Sequence, residues 1–157
     1  MENLNYPWKE KWTSRNKLVA KYVRGKSILD IGGGLGGLKR FLKRGTDYIS
    51  IDLKQWTPET IIYDLNTGFP LLYRQINTTV CQGIIEYIKH PFEFLKGIQM
   101  YSRRLVLTYR TGKENIMERN NFSQESIERL IKASGWKIIK NLPSVSKFER
   151  IYICTKK

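Results

Sequence analysis

One stretch near the start of the chain, Ser27 to Leu38, constrains the fold more than any other. It reads S-I-L-D-I-G-G-G-L-G-G-L: a short apolar run that contains Asp30, then Gly32, Gly33, Gly34, Gly36 and Gly37 within six residues. Glycine accepts positive φ and leaves bare backbone that a ligand can approach closely. A helix-like segment follows from Leu38 through Arg44, with Gly45 as its stop. Strand, glycine turn and helix together read as a nucleotide-binding βα unit.

The rest of the chain repeats that alternation. Residues 27–30, 48–52, 61–63, 77–83, 104–109, 136–140 and 150–155 read as seven strands, numbered here in that order. A helix is expected from Pro91, which suits a first helical position, with Phe94, Leu95, Ile98 and Tyr101 on its apolar face. Another starts at Ser123 as N-cap, with Glu125 in its first turn, a Phe122–Ile127 staple, and Gly135 as its end. Residues 6–24 read as a basic helix carrying Trp8, Trp12, Leu18 or Val19, and Tyr22 on one side. The 157 residues fit one domain, 1–157, with 1–26 as a basic helical lead-in. Only eight residues, 53–60, join the second and third strands, room for about one helical turn.

Strands alternating with helices predict a Rossmann-like α/β domain whose ligand lies at the carboxyl ends of the strands. Three consecutive strand ends carry acids: Asp30 with Gly32, then Asp52, then Asp64. The glycines satisfy both G-x-G-x-x-G (Gly32, Gly34, Gly37) and D-x-G-x-G-x-G (Asp30, Gly32, Gly34, Gly36). Asp52, 20 residues past Gly32, sits where a ribose-binding acid belongs. Against a nicotinamide dinucleotide stands Asp30, which would put negative charge beside a pyrophosphate. The same carboxylate beside an ammonium and a sulfonium is electrostatically sensible. One sheet of this size also leaves little room for two mononucleotide halves, and Asp64 has no standard dinucleotide role.

With those residues in view, the chain resembles a small class I S-adenosylmethionine-dependent methyltransferase of the broad type 11 group. I-L-D-I-G-G-G-L-G is similar to the family's first motif, and D-Y-I-S-I-D-L to its second-strand motif. I-I-Y-D-L-N-T-G-F-P resembles the segment whose acid faces adenine, and G-I-I-E-Y-I-K-H-P the segment after strand four. F-S-Q-E-S-I-E-R-L-I-K-A-S-G-W-K-I resembles its last helix and strand. The resemblance implies a seven-stranded, mostly parallel sheet ordered 3-2-1-4-5-7-6 with strand 7 antiparallel and helices on both faces. It implies S-adenosyl-L-methionine as cofactor and transfer of its methyl to an acceptor (EC 2.1.1.-). Asp30, Gly32, Gly34 and Gly36 would cradle the methionine part. Asp52, followed by Leu53, would take the ribose hydroxyls. Asp64 and the Leu65 backbone would meet adenine, and Gln82 and Gly83 would lie by the sulfonium.

The departures bear on the acceptor. Glu86-Tyr87 stands where the family has an E-H pair, Asn77-Thr78-Thr79 where an acid opens strand four, and Tyr101-Ser102-Arg103-Arg104 where a glycine-rich turn precedes strand five. The sequence lacks the D-P-P-Y-like tetrad of adenine amino-methyltransferases and a Pro-Cys nucleophile for pyrimidine C5. Tyr87, His90 and Tyr109 are the candidate general bases near the strand ends.

Charge supplies the remaining clue. The chain carries 28 Lys+Arg against 14 Asp+Glu, a formal net charge of +14. Residues 1–29 hold +5, 30–100 hold +1 and 101–157 hold +8, so the ends carry the field and the nucleotide-binding middle is nearly neutral. Arg103, Arg104, Arg110, Lys113 and Arg119 are expected to crowd the loop after strand five and favour an anionic acceptor, an RNA or a phosphate-bearing metabolite. The alternative is a partner protein that binds cofactor or nucleic acid without catalysing. Cys81 and Cys154 read as buried small hydrophobes, and one histidine with no C-x-x-C spacing argues against a metal site. No membrane span or secretory leader is legible, which predicts a cytoplasmic protein.

Overall fold

The structure, a computed structural model, describes residues 9–111 and 120–157. The expectations that named Trp8, Lys113 and Arg119 fall outside the described residues. The elements are α1 (Lys9–Ala20), β1 (Ser27–Ile31), β2 (Asp47–Asp52), β3 (Thr60–Ile62), β4 (Thr78–Gln82), α2 (Pro91–Ile98), β5 (Arg104–Arg110), α3 (Gln124–Ala133), β6 (Trp136–Pro143) and β7 (Glu149–Lys156). They form one sheet of order β3-β2-β1-β4-β5-β7-β6. The β3-β2-β1-β4-β5 pairs are parallel, and β7 is antiparallel to both of its neighbours. This is the topology the sequence predicts.

Near-continuous apolar runs make these strands because both faces of the sheet are covered. Ile28, Val80, Val106, Ile151 and Ile153 turn to one face, beneath Val19 of α1 and Leu38. Leu29, Ile31, Ile51, Cys81, Leu105 and Leu107 turn to the other, beneath α2 and α3. Phe94, Leu95 and Ile98 bury one side of α2. Ile127 and Ile131, four residues apart, do the same for α3. The α3 cap forms as expected, with Ser123 Oγ accepting the Ser126 N–H at 3.1 Å, and Gly135 leaves the helix at φ 92°. The buried Trp136 indole donates to Leu95 O at 2.8 Å and ties β6 to α2. Cys81 and Cys154 are buried free thiols, and burial pushes Cys154 up to about 12.

Four local expectations are corrected. The segment after the glycines is one 3-10 turn, Gly37–Phe41, with Leu42 already extended, rather than a helix through Arg44. Leu38 is the only fully buried side chain of that turn, and so short an apolar face cannot support further helix. Trp12 is 47% exposed, so it does not share a packed stripe with Val19. α1 meets the apolar core through its last turn, while its middle makes polar contacts at the site described below. Residues 53–59 hold no helix; a Thr60 N–H to Thr57 O bond of 3.1 Å closes the turn into β3. The last two strands are longer than predicted and pair across a register shift between Ile138 and Lys140.

Candidate active site

The carboxyl ends of β1, β2 and β4 place the sequence-predicted residues on one edge of the sheet. Gly32 continues the strand, its N–H donating to Ile51 O at 2.8 Å, and then turns at φ 72°. Gly33 lies flat on the sheet: a Cβ there would stand 2.9 Å from Ser50 Cβ and 3.1 Å from Asp30 Oδ2. Gly34 does the opposite. Its φ is 50°, and nothing lies within 4 Å of the place a Cβ would take, so its backbone faces open space. At Gly37 a Cβ would meet Asn16 Nδ2 of α1 at 2.6 Å. The glycine loop is therefore pressed between sheet and α1 at its ends and open at its centre.

Asp52 is bound to that loop. Its Oδ2 accepts the Gly34 N–H at 3.0 Å and its Oδ1 the Leu53 N–H at 2.7 Å. Leu53 itself is exposed. Asp64 is exposed and folds onto its own turn, Oδ1 accepting the Asn66 N–H at 2.9 Å. Asn66 Oδ1 in turn accepts the Lys89 N–H at 2.7 Å, joining this turn to the segment after β4. Leu65 packs on the larger core cluster.

Asp30 lies deeper than the other two acids, only 2% exposed, beneath the glycine loop. The Tyr48 hydroxyl donates to its Oδ2 at 2.7 Å. Burial pushes the Asp30 carboxyl up to about 7, Tyr48 and Arg15 hold it down, and Asp52 pushes it further up. Burial and the facing carboxylate push the Tyr48 phenol up as well.

The sequence reading missed what α1 contributes. Asn16 Oδ1 accepts from Gln82 Nε2 at 2.8 Å, and Arg15 Nη1 pairs with Glu149 Oε1 at 2.9 Å. Gly83 turns at φ 63°, and a Cβ there would stand 3.6 Å from Arg15 Nη1. Thr108 and Arg110 of β5 join the group, because Gln82 pairs with Thr108 and Arg110 with Glu149 across the ladders. Four buried polar atoms in this group lack a protein partner: Arg15 Nε, Gln82 Oε1, Thr108 Oγ1 and Arg110 Nε. Buried polar groups are normally satisfied, so such a cluster on one edge is chemically informative. The family likeness pointed to Gln82 and the charge pattern to Arg110, but nothing in the sequence marked Arg15, Asn16 or Thr108. Their convergence depends on α1 crossing strands more than sixty positions away in sequence.

The candidate bases fare unevenly. Tyr109 is fully buried on the α2–α3 side; its hydroxyl donates to Asn120 O at 3.1 Å and accepts the Phe122 N–H at 2.7 Å. His90 is exposed and precedes α2, its carbonyl accepting the Phe94 N–H at 3.0 Å. Tyr87 is 42% exposed on the 3-10 turn Ile85–Tyr87. Glu86 is buried, its Oε1 accepting the Arg110 N–H at 3.2 Å.

One charge expectation is corrected. Arg110 stands at this edge, but Arg103 and Arg104 stand at the amino end of β5. A strand rises about 3.3 Å per residue, so the two ends of β5 are roughly 20 Å apart and the arginines do not share a loop. Among the described residues, no group of three His, Cys, Asp or Glu is placed to hold a metal ion, and no helix is long and apolar enough to cross a membrane.

Sheet order, the single antiparallel β7 and the glycine loop after β1 define the fold of class I S-adenosylmethionine-dependent methyltransferases. Three solved structures illustrate the likeness. The magnesium protoporphyrin IX methyltransferase ChlM from Synechocystis PCC 6803, with bound SAH, matches with a TM-score of 0.73 and 14% identity over 100% of this chain and 90% of its own. The mitomycin 7-O-methyltransferase MmcR matches at 0.70 and 14% identity over 92% of this chain. The chain spans about half of MmcR, 54% of its length. The [4+2]-cyclase SpnF matches at 0.77 and 12% identity over 99% of this chain and 84% of its own. No protein-family model matches the sequence, and no curated protein matches it by sequence.

Proposed function

We propose that this chain binds S-adenosyl-L-methionine at the carboxyl edge of β1, β2 and β4 and transfers its methyl group to a small polar or anionic acceptor. The observation that carries the reading is the open backbone of Gly34 held against the Asp52 carboxylate beside it. A carboxylate offers about four acceptor directions, and two are taken by backbone N–H groups, which leaves Asp52 able to accept two ribose hydroxyls. A Cβ at Gly34 would project into the open space over that backbone. Unpartnered Gln82 Oε1 is an acceptor suited to an ammonium, and unpartnered Arg15 Nε a donor suited to a carboxylate. The residues present therefore fit the group.

In this reading Asp52 and the glycine backbone hold the ribose and methionine ends, and Asp64 with the Leu65 backbone lies on the adenine side. Gln82 and Gly83 flank the reacting edge. When bound, the cofactor supplies an electrophilic sulfonium methyl: a new bond from the acceptor's O, N or C forms as the S–CH3 bond breaks, its electron pair stays on sulfur, and the acceptor's proton leaves to solvent or a base. The chain's own contribution is alignment and exclusion of water under α1. Thr108 and Arg110 line the side where an acceptor would sit, and their unpartnered donors favour an oxygen-rich or anionic molecule.

Calorimetry with S-adenosylmethionine tests the first half, with saturable binding expected and its loss in Asp52→Ala. Labelled-methyl transfer into pooled metabolite and RNA extracts tests the second. Cofactor binding with no label in any pool would overturn the transfer reading in favour of a non-catalytic cofactor-binding protein.

A further inference from the structure

Among the described residues, most of the acids lie at one edge of the sheet. The acids gather where the strands end: Asp30, Asp52, Asp64, Glu86 and Glu149 lie at the carboxyl edge, and Glu93 and Glu125 open the helices that start there. The opposite, amino edge is basic. Arg44 lies before β2, Arg24 and Lys26 before β1, Arg103 before β5, Lys137 at the start of β6 and Lys156 at the end of β7, and all six are exposed. Among the described residues, two acids stand at strand starts on this edge, and both are paired: Arg74 Nη1 holds both oxygens of Asp47 at 2.6 and 2.8 Å, and Lys39 pairs with Glu59, just before β3. None of the six basic residues is in a salt bridge with a described acid. Backbone bonds fix the row: Lys26 O accepts from Asp47, Arg24 N–H reaches Thr78 Oγ1, and Lys156 N–H reaches Arg103 O at 2.9 Å. Arg104, half-buried in the same row, is pushed below its ordinary range by burial and by Arg24 beside it. Like charges are thus crowded without a protein counter-ion.

We propose that this amino-edge row is a docking track for single-stranded nucleic acid, separate from the methyl-transfer edge. The track is linear. It crosses the sheet from β2 to β6, and at about 4.8 Å per strand it runs roughly 25 Å, matching a polyphosphate chain better than a lone phosphate. An aromatic platform stands beside it: Tyr73, next to Arg74, is 96% exposed. Exposed rings of this kind stack unpaired bases without regard to sequence. The length of β5, about 20 Å, separates the track from the candidate cofactor loop. It therefore acts as a tether that concentrates the protein on nucleic acid while the transfer edge stays clear for its own acceptor. This inference does not depend on the proposed activity.

The test uses the full chain and a fluorescein-labelled oligouridylate of about 15 nucleotides, read by anisotropy across a salt series starting near 50 mM. Three charge reversals on the track, Lys26→Glu, Arg103→Glu and Lys156→Glu together, are compared with three on the opposite edge, Lys54→Glu, Lys89→Glu and Lys147→Glu. The net charge change is the same in both. The track variant is expected to bind at least about 30-fold more weakly, with a salt slope shallower by about 2, since each lost phosphate contact removes about 0.7. The control set is expected to stay within about threefold of the unmodified protein. Equal losses in both sets would mean that binding follows net charge and overturn the track, as would an unmodified protein that ignores the oligonucleotide at low salt. Binding to phosphatidylserine vesicles without binding to oligonucleotide would also overturn it, in favour of a membrane surface. Thermal unfolding checks that both sets fold, and Lys→Gln and Arg→Gln versions at the same positions carry the comparison if the reversals do not.

Discussion

Replacing Asp30 by Asn should change how the stability of this protein depends on pH. In the folded chain the Asp30 carboxyl titrates at about 7, raised from 3.8 chiefly by burial. In the unfolded chain it ionises near the ordinary value. Between those values the folded state holds a proton that the unfolded state has released, so the stability that Asp30 contributes is fully present below about pH 4 and is lost as pH rises through about 7. The shift of roughly three units is worth about 4 kcal/mol at 1.36 kcal/mol per unit. Asparagine can still accept from the Tyr48 hydroxyl through its amide oxygen, but it does not ionise. Asp30→Asn should therefore gain on the parent protein by an amount that grows to about 4 kcal/mol between pH 4 and pH 8. Urea unfolding of both proteins at several pH values measures the difference directly, because titrations common to both cancel. Parallel stability curves would refute the reasoning. Tyr48→Phe is the companion test: removing the hydroxyl that holds Asp30 down should carry the fall in stability to still higher pH.

Other outcomes are equally specific. Asp52→Ala should weaken S-adenosylhomocysteine binding at least about 30-fold by calorimetry, since hydrogen bonds to a charged group contribute about 1.5–3 kcal/mol each. Gly34→Ala adds a methyl over the open backbone beside Asp52 and forces alanine to φ 50°, so binding should be lost along with about 1–2 kcal/mol of stability. Gly33→Ala meets Ser50 and Asp30 and should cost about 1–3 kcal/mol in chemical denaturation through overpacking alone. Arg15→Ala leaves the largely buried Glu149 carboxylate without its cation and should destabilise the fold by about 1–3 kcal/mol, with Arg15→Ala/Glu149→Gln recovering part of that in a double-mutant cycle. Tyr109→Phe removes a buried hydroxyl that joins Asn120 to Phe122, so unfolding experiments should show a loss of about 1–2 kcal/mol with no change in the pH profile of transfer.

The sequence by itself determined the strands and the positions of the glycine loop and the strand-end acids, because both rest on short-range patterns. Apolar runs of strand length ended on Asp52 and near Asp30 and Asp64, and the glycines between them left the chain no regular way to continue. The alternation of strands and helices gave a parallel α/β sheet, and the strand order came from the family likeness alone. Where an expectation failed, the deciding term was non-local. The segment after Gly37 lost its helix because only Leu38 finds a deeply buried seat against the sheet. Trp12 stays in solvent because the middle of α1 is held by Asn16–Gln82 and Arg15–Glu149 rather than by apolar packing. The polar group of Arg15, Gln82, Thr108 and Arg110 exists only once α1 crosses the ends of β4, β5 and β7. Charge was divided along the sequence into two basic ends and a neutral middle, but folding re-sorted it along the strands. A parallel strand sends its two termini to opposite edges, so Arg103 and Arg110, seven positions apart, ended on opposite sides of the molecule.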